Sequence, residues 1–449
     1  MSIAPTEWLL ASRKVADEAD PAVMRAAGHC ALDWFGVAIA GAAEPVSRIL
    51  ADVVAPPGSS GAASVLGRSE RTSPVDAALI NGATGHALDY DDSNMAMPGH
   101  ATGAVLPTVL ALAEEDGAGG EQVLRGLIAG VEAECRLGAL VGPSHYTAGF
   151  HASSTLGAFG AAAAACQILD LGEDEWRRAL GLAAAHAAGL KAQFGTMAKP
   201  LHLGIAAAAG VRSARLAQAG FTAAPDVVET EQGFAAAYHG ELVTSEEAEA
   251  RLGGEPAVMT TVFKYHAACH LTHASIENAQ RLSREGVAPA DIEAITLEVP
   301  ETALGVCNIA APSTGTEGKF SLRATAALGF LGADTASPAT YVDEAFQAPQ
   351  LISLRDRVEV DPVPGRPLTW SRMRLRTSDG RELTAEFDVG TPERDLDARE
   401  QRLIAKFHAI TEPLLPSESR GELVESLKGL AVVDSIGRLM ELTKIPVRI

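Results

Sequence analysis

Cysteine pairs and long apolar runs are missing from this 449-residue sequence, and each shortage excludes a class of protein. The five cysteines lie far apart and form no CxxC pair. That pattern is typical of reduced thiols and provides no framework for an iron–sulfur cluster or a structural zinc site. No apolar run approaches the roughly 18–20 residues that cross a bilayer, and the first residues lack the features of a secretory signal. These shortages predict a cytoplasmic protein without a membrane partner.

Positive charge is also in short supply. Lysine and arginine together number 36 against 57 aspartates and glutamates, for a formal net charge of −21. A nucleic-acid-binding protein needs a basic face to neutralise phosphates, so we expect no nucleic-acid partner. Small anionic ligands are not excluded, because a local basic pocket can lie inside an acidic protein.

Several catalytic motifs are missing as well. The sequence contains no GxSxG nucleophile elbow, no P-loop and no GxGxxG motif behind a strand. We therefore expect neither serine-hydrolase chemistry nor a nucleotide cofactor.

Alanine, by contrast, is abundant and unevenly distributed. Of the 83 alanines, 62 lie in the first 270 residues and five lie after residue 350. Because alanine is the best helix former and permits close helix contacts, this distribution predicts a helical domain in the first part of the chain. Apolar residues at helical spacing predict helices over residues 22–40, 101–114, 122–140, 154–168 and 204–219.

The periodicity changes after residue 285. Apolar and polar residues alternate from Ile295 to Val299, and again on both sides of Ser378-Asp379-Gly380, which is a strong hairpin signal. Helical spacing returns at residues 320–331, 396–407 and 422–443. The sequence therefore predicts a mainly α protein with a smaller α+β domain. The large all-helical domain covers residues 1–268 with a C-terminal return at 405–449, and the α+β domain is inserted at 269–404.

Only eight of the basic residues are lysines, so a retained lysine is a candidate for a role that arginine cannot fill, namely titration. Lys199 lies in GTMAKPLHLG, where glycine and proline interrupt the helical spacing and predict a loop ahead of a helix from Gly204. A lysine on such a loop, facing a helix N-terminus, is suited to hold or deprotonate an anionic substrate. A solvated surface charge is the simpler alternative.

The segment KYHAACHLTH begins at Lys264, close to the predicted domain boundary, where ligand sites are common. His266, His270 and His273 have i, i+4 and i+7 spacing, so a helix would place them on one face. Three imidazoles could bind zinc, but the sequence lacks HExxH and an obvious carboxylate partner. Acid–base duty, substrate binding or ordinary buried hydrogen bonding is favoured, and we expect no metal.

Two further polar segments lie in the helical half. NGATGHALDYDDSNMAMPGH, from residue 81 to 100, contains three aspartates. An EF-hand starting at Asp89 fails there, because Asn94 and His100 would stand where glycine and glutamate are required. A weak likeness to magnesium–diphosphate motifs and a plain polar loop are the alternatives. SHYTAGFHASS, from residue 144 to 154, places two histidines and Tyr146 on one predicted loop, more than packing needs.

Six collinear motifs resemble the MmgE/PrpD family over nearly the whole chain: HALDYDDS, HATGAVLP, GFHASSTLGAFGAAAAA, GTMAKPLHLG, KYHAACHLTH and TEGKFSL. The resemblance implies a mainly helical first domain, a smaller α+β domain and a C-terminus that returns to the first domain. It also implies proton transfer at a carbon next to a carboxylate of a small polycarboxylate, without a cofactor. Members include 2-methylcitrate dehydratase, cis-aconitate decarboxylase and iminodisuccinate epimerase.

The resemblance further implies an active site, whose residues are Asp89, His100, His151, Lys199 and Lys264, with Ser93 in contact with the substrate. Local sequence alone adds Tyr146, His266 and His273. The chemistry needs a positioned base and cations that stabilise charge on the carboxylate as the proton leaves. A neutral histidine suits the base role, and the two lysines supply positive charge.

Two departures from the family pattern bear on the reaction. Some members carry a tyrosine shortly after the KFSL-like segment, where this chain has Arg323-Ala324-Thr325, and HATG replaces the more usual HPSG at His100. We therefore predict an epimerase acting on an iminodisuccinate-like substrate, ahead of a 2-methylcitrate dehydratase-like hydro-lyase or a cis-aconitate decarboxylase-like lyase. A non-catalytic polycarboxylate-binding protein is a further alternative. We expect a homo-oligomer, as a dimer.

Overall fold

The computed structural model describes residues 3–238 and 242–446. Contacts divide the chain into two compact units. The first contains the described residues up to Phe263 and those from Glu393 onward, and the second contains Lys264–Pro392. The boundaries therefore differ from the expected 268/269 and 404/405. The second boundary differs because a single helix, Leu396–Thr411, runs through residues 404 and 405 and packs on the first unit.

The first unit is mainly helical, as the alanine distribution predicts. Its one sheet among the described residues is a two-stranded antiparallel pair, β1 (Ala63–Ser64) and β2 (Arg71–Thr72). Its helices up to the second unit are α1 (Pro5–Leu10), α2 (Ser12–Asp17), α3 (Pro21–Gly41), α4 (Pro45–Val54), α5 (Pro74–Gly85), α6 (Thr102–Asp116), α7 (Gly120–Thr147), α8 (Ala152–Thr155), α9 (Gly157–Ile168), α10 (Glu173–Ala184), α11 (Ala198–Gln218), α12 (Phe234–Ala237) and α13 (Ser245–Leu252).

Small residues let α5 and α11 cross in very close contact. A Cβ atom added to Gly204 would lie 2.1 Å from the carbonyl oxygen of Leu79, and one added to Gly82 would lie 2.9 Å from the Cα of Gly204. Real side chains cannot approach the backbone so closely, so the glycines are required for this crossing. The contact brings the first turns of α11 beside the end of α5.

Helix α7 changes direction near its end. Gly142 has a left-handed φ of 64°, and Pro143 follows it. Glycine tolerates that conformation and proline favours the start of a new helical turn, so the chain bends without unwinding completely. Residues 144–147, predicted as loop, therefore form a last helical turn that carries His145 and Tyr146.

The C-terminal part of the first unit begins with a capped helix. The Asp395 side chain accepts hydrogen bonds from the N–H groups of Asp397 and Ala398, which starts α20 (Leu396–Thr411). Phe407 packs against Gly36 of α3, where an added Cβ would lie 3.1 Å from the phenylalanine ring. Two more helices follow, α21 (Ser417–Lys428) and α22 (Gly437–Leu442).

The second unit is an α+β layer structure. Its sheet has the order β4-β3-β5-β6, with β3 and β4 parallel and the other pairs antiparallel. The predicted hairpin is confirmed, since β5 and β6 pair across the Ser378–Gly380 turn. The elements are α14 (His270–Arg284), β3 (Ile292–Pro300), α15 (Leu304–Cys307), α16 (Gly315–Gly318), α17 (Leu322–Phe330), α18 (Asp343–Phe346), α19 (Pro349–Arg355), β4 (Val358–Val363), β5 (Trp370–Thr377) and β6 (Glu382–Asp388).

Alternation decides which face of this sheet is buried. Ile295, Leu297, Met373 and Leu375 join one apolar core with residues of α14 and α17. On the other face, the arginines of β5 form ion pairs with glutamates of the neighbouring strands. No helix in the described part of the chain is both long enough and apolar enough to cross a membrane.

Candidate active site

The loop between α5 and α6 carries four chemically versatile side chains: His86, Asp89, Asp91 and His100. Asp89 adopts a left-handed φ of 51°, which aspartate tolerates better than most residues but which still costs free energy. Its N–H donates to the carbonyl oxygen of His86 at 3.0 Å. Non-glycine residues in this conformation concentrate at functional sites, so the turn marks the loop as a candidate active site.

A buried ion pair between α20 and α3 holds the backbone of this loop in place. The Lys406 ammonium of α20 donates to Oδ1 of Asp33 at 2.6 Å and to the carbonyl oxygen of Tyr90 at 2.7 Å. Lys406 and Asp33 are almost completely buried. Because Tyr90 lies between Asp89 and Asp91, α20 fixes the backbone on which both carboxylates stand.

Asp91 lies at the centre of the loop, where it accepts a hydrogen bond from His86 and forms an ion pair with His100. Its Oδ1 lies 2.8 Å from Nδ1 of His86 and 3.4 Å from Nδ1 of His100. The side chains of Asp91 and His86 are fully buried. A carboxylate shielded from water is stabilised only by hydrogen bonds or opposite charge, and the two imidazoles provide them.

His100 has oxygen atoms on both sides of its ring. Nδ1 lies 2.8 Å from the carbonyl oxygen of Asp92, which can only accept, so Nδ1 carries a proton. Nε2 lies 3.3 Å from Oδ1 of Asp89. The protonated imidazolium is the form that donates to both sides, so this geometry favours His100 as a proton donor.

Lys199 completes a row of alternating charges. Its ammonium lies 2.5 Å from Oδ2 of Asp89, and its side chain is mostly buried. The prediction that Lys199 lies on a loop before Gly204 is wrong, because α11 begins at Ala198 and includes it in the first turn. Pro200 does not break this helix, since the N–H groups of the first turn have no helical partner to lose.

His151 lies next to this row and is paired with His202. The two Nδ1 atoms are 3.0 Å apart, so one ring donates and the other accepts. Burial, with the neighbouring His86, Lys199 and His202 adding to it, lowers the pKa of His151 to about 2. Burial also lowers the pKa of His202. Both imidazoles are therefore neutral near pH 7, and a neutral ring can donate one hydrogen bond and accept another.

Tyr146 and Ser93, two further predicted site residues, lie in the same unit. Lys191 lies over the Tyr146 ring at 3.8 Å and donates to the Tyr146 carbonyl oxygen. Burial, and secondarily the Asp89 carboxylate, raises the pKa of the Tyr146 hydroxyl, which keeps it protonated. Ser93 pairs with Val262 through two backbone hydrogen bonds of 2.9 Å, which holds the end of the loop.

The remaining predicted residues lie in the second unit. Lys264 and His266 are buried, and the His266 ring is held by Thr335 Oγ1 at 2.7 Å and Glu277 Oε1 at 3.2 Å. His273 is buried as well, and burial with the nearby His266 lowers its pKa well below the usual value. The expectation of one helical face for His266, His270 and His273 is wrong, since α14 begins at His270. The rings of His266 and His273 nevertheless lie 4.9 Å apart.

Four donor atoms of the loop are close enough together to be compared with a metal site. Within residues 3–238 and 242–446, His86, Asp89, Asp91 and His100 form the one such group, with donor atoms within 4.8 Å of one another. A hydrogen bond between His86 and Asp91 and two ion pairs of His100 account for this closeness. The Lys199 ammonium beside Asp89 also repels a second cation, so the arrangement favours a hydrogen-bonded network.

His86, Asp91 and His202 were missed by the sequence reasoning. His86 and Asp91 lie in the quoted motif HALDYDDS, but their contact depends on how the loop folds. His202 follows Lys199 by three residues, which is the spacing of neighbours on a helix. The signal was lost because the segment was predicted as a loop.

The sequence of the chain matches two domains of a known protein family. Residues 9–245 match the MmgE/PrpD N-terminal domain and residues 266–428 match the MmgE/PrpD C-terminal domain. The chain belongs to the MmgE/PrpD family. The family recognition and the fold class predicted from the six motifs are thereby confirmed.

The MmgE/PrpD chain is also similar to curated enzymes along most of its length. It is 27% identical to cis-aconitate decarboxylase of Homo sapiens over 391 residues, which cover 84% of this chain and 80% of the relative. It is 27% identical to cis-aconitate decarboxylase of Aspergillus terreus over 472 residues, covering 98% and 95%. The mouse enzyme of the same name is 26% identical, covering 94% and 90%. These relatives are lyases, so the chain belongs to a family of enzymes.

Proposed function

We propose that this protein is a lyase that decarboxylates a small polycarboxylate of the cis-aconitate class. The observation that carries the proposal is the row Lys199–Asp89–His100, in which a cation and a proton donor flank one carboxylate. The similarity to decarboxylases along nearly the whole chain supports a lyase over the epimerase that the sequence departures favoured.

The chemistry of decarboxylation fits such a row. When carbon dioxide leaves, the electron pair of the broken bond moves into the neighbouring unsaturated system, and a carbon atom must then receive a proton. His100 as an imidazolium supplies that proton, with Asp89 beside its Nε2 to orient it. Lys199 provides positive charge for a substrate carboxylate, which stabilises the negative charge that develops next to it.

Substrate binding has a clear electrostatic consequence at Asp89. Its side chain is half exposed and pairs with Lys199. A substrate carboxylate could replace Asp89 beside the Lys199 ammonium. Asp89 would then be released from the ion pair, and the cation would still have an anionic partner. Lys264 is proposed as a substrate-binding residue, as the resemblance implied.

An epimerase acting on an iminodisuccinate-like substrate is the second candidate, and one observation favours it. His100 is held as a donor, while His151 in the same unit is neutral and paired with His202. Epimerisation needs such a pair on opposite faces of one carbon atom.

One experiment separates these functions. The purified protein is incubated with cis-aconitate in deuterated buffer, and products are followed by proton NMR while released carbon dioxide is measured. Stoichiometric carbon dioxide with one deuteron in the product supports the lyase. An iminodisuccinate-like substrate that exchanges its α-proton and loses optical rotation without releasing carbon dioxide supports the epimerase. Saturable polycarboxylate binding with neither reaction supports the binding protein.

A further inference from the structure

Asp91 and His86 stand apart from the groups that could touch a substrate. Both side chains are fully buried, whereas Asp89 is half exposed. The ring of His86 lies 4.4 Å from that of His100 and 6.1 Å from that of His151. His86 thus lies behind both candidate acid–base histidines, in a place that no substrate reaches without displacing the loop.

In the contacts among these groups, the histidines donate and the Asp91 carboxylate accepts or balances charge. His86 Nδ1 lies 2.8 Å from Asp91 Oδ1, and the carboxylate can only accept from it when ionised. The same oxygen faces Nδ1 of His100 at 3.4 Å, next to the Asp92 carbonyl oxygen at 2.8 Å. A single buried oxygen therefore accepts from one histidine and balances the charge of another.

We infer that Asp91 and His86 are a buried positioning pair for His100, in which Asp91 holds the His100 imidazolium and His86 keeps Asp91 ionised and oriented. The inference rests on the proposed function for its catalytic meaning. The pair itself is a property of the resting protein and can be measured without a substrate. Neither residue touches the reacting atoms.

The charges around His100 determine the sign of the expected effect. Among the described residues, the titratable and charged groups that the structure places against it or its direct partners include Asp89, Asp91, His86, Lys199, His151 and, through its carbonyl oxygen, Asp92. Loss of the Asp91 charge removes the buried anion nearest Nδ1, while Asp89 on the other side is half exposed and shared with Lys199. The imidazolium is then less stable, and its pKa falls.

The test is a histidine side-chain NMR titration of ¹⁵N-labelled protein, with His100→Gln used to assign the signal. We expect Asp91→Asn to lower the His100 pKa by at least one unit and to move the alkaline limb of kcat/KM to lower pH by the same amount. Asparagine preserves the shape of the side chain and one acceptor oxygen. His86→Leu should lower the His100 pKa by a smaller amount. His86→Gln retains a hydrogen-bond donor, so its His100 pKa should lie closer to the wild-type value.

Glu134→Gln is the matched control. Glu134 is another fully buried carboxyl group of the first unit, and neither of its oxygens has a hydrogen-bond partner among the described residues. Burial raises its pKa well above the usual value, so its replacement by glutamine changes no charge. An unchanged His100 pKa in Asp91→Asn, or an equal shift in Glu134→Gln, overturns the inference. Failure of the wild-type protein to release carbon dioxide would overturn the proposed function and leave the titration result standing.

Discussion

The Lys199 ammonium lies 2.5 Å from Oδ2 of Asp89, although the two residues are 110 positions apart in the chain. The other oxygen of the same carboxylate faces His100. Asp89 therefore joins the first turn of α11 to the loop between α5 and α6. This relationship is the basis for the first prediction.

Replacement of Lys199 by alanine is expected to abolish turnover and leave the fold intact. The side chain stands in a helix first turn, and its removal relieves an unfavourable cation at the helix N-terminus. Rates should fall by on the order of 10²-fold or more if the cation stabilises developing charge. Product NMR and circular dichroism measure the two effects. Near-normal turnover in Lys199→Ala would refute the role of the lysine, and Lys199→Arg tests whether charge alone is enough.

Asp92 should make the folded state less stable at alkaline pH. Burial raises the Asp92 pKa from 3.8 to about 7, and the charge of the nearby Asp33 is the second-largest cause. Two hydrogen bonds donated by Thr102 oppose this rise but do not cancel it. Between those values the folded state binds more protons than the unfolded state, so the free energy of unfolding falls as the pH rises from 4 to 7.

Asp92→Asn is therefore expected to stabilise the protein more at pH 8 than at pH 5, by on the order of 1 kcal/mol or more. Asparagine still accepts from Thr102 and has no charge to bury. Chemical denaturation at the two pH values measures the difference. A stability change that is equal at pH 5 and pH 8 would contradict the assignment of a raised pKa to Asp92.

The crossing of α5 and α11 should be intolerant of a single methyl group. In Gly204→Ala the new Cβ would lie 2.1 Å from the Leu79 carbonyl oxygen, so the helices must move apart. We expect a loss of about 1–3 kcal/mol in the free energy of unfolding, and lower activity because Lys199 and Asp89 stand on the two displaced segments.

Gly421→Ala is the control for this substitution. Gly421 lies inside α21, and nothing is within 4 Å of an added Cβ. Alanine should be neutral there or stabilising by up to about 1 kcal/mol, since it is the better helix former. Thermal melts of the two variants should move in opposite directions or differ clearly. Equal melting temperatures would show that the crossing is looser than the structure indicates.

Chelators should not reduce activity. The donor atoms of His86, Asp89, Asp91 and His100 are close together, but Lys199 already supplies the positive charge beside them. Activity after dialysis against EDTA should equal that of an untreated sample. A loss that one divalent cation restores would show that the network is a metal site.

The local features of this protein were predictable because they depend on neighbouring residues. Alanine and helical spacing predicted the long helices, with α3 at residues 21–41 against the expected 22–40. The Asp-Gly turn predicted the β5–β6 hairpin. Errors arose where a local signal had two meanings. Pro200 indicated a loop although proline is tolerated in a first helical turn, and the spacing of His266, His270 and His273 imitated a helix that begins only at His270.

The sequence by itself determined the helical and α+β parts of the chain, the family motifs and the polar loop that contains Asp89 and His100. Only the tertiary structure decided which side chains meet. Lys199 reaches Asp89 and His202 reaches His151 because glycines allow α11 to pack closely on its neighbours. His86 and His100 share Asp91 because the loop between two helices closes on itself. These contacts join residues that no local pattern links, and they depend on interhelical distances that are set by the packing of the whole unit.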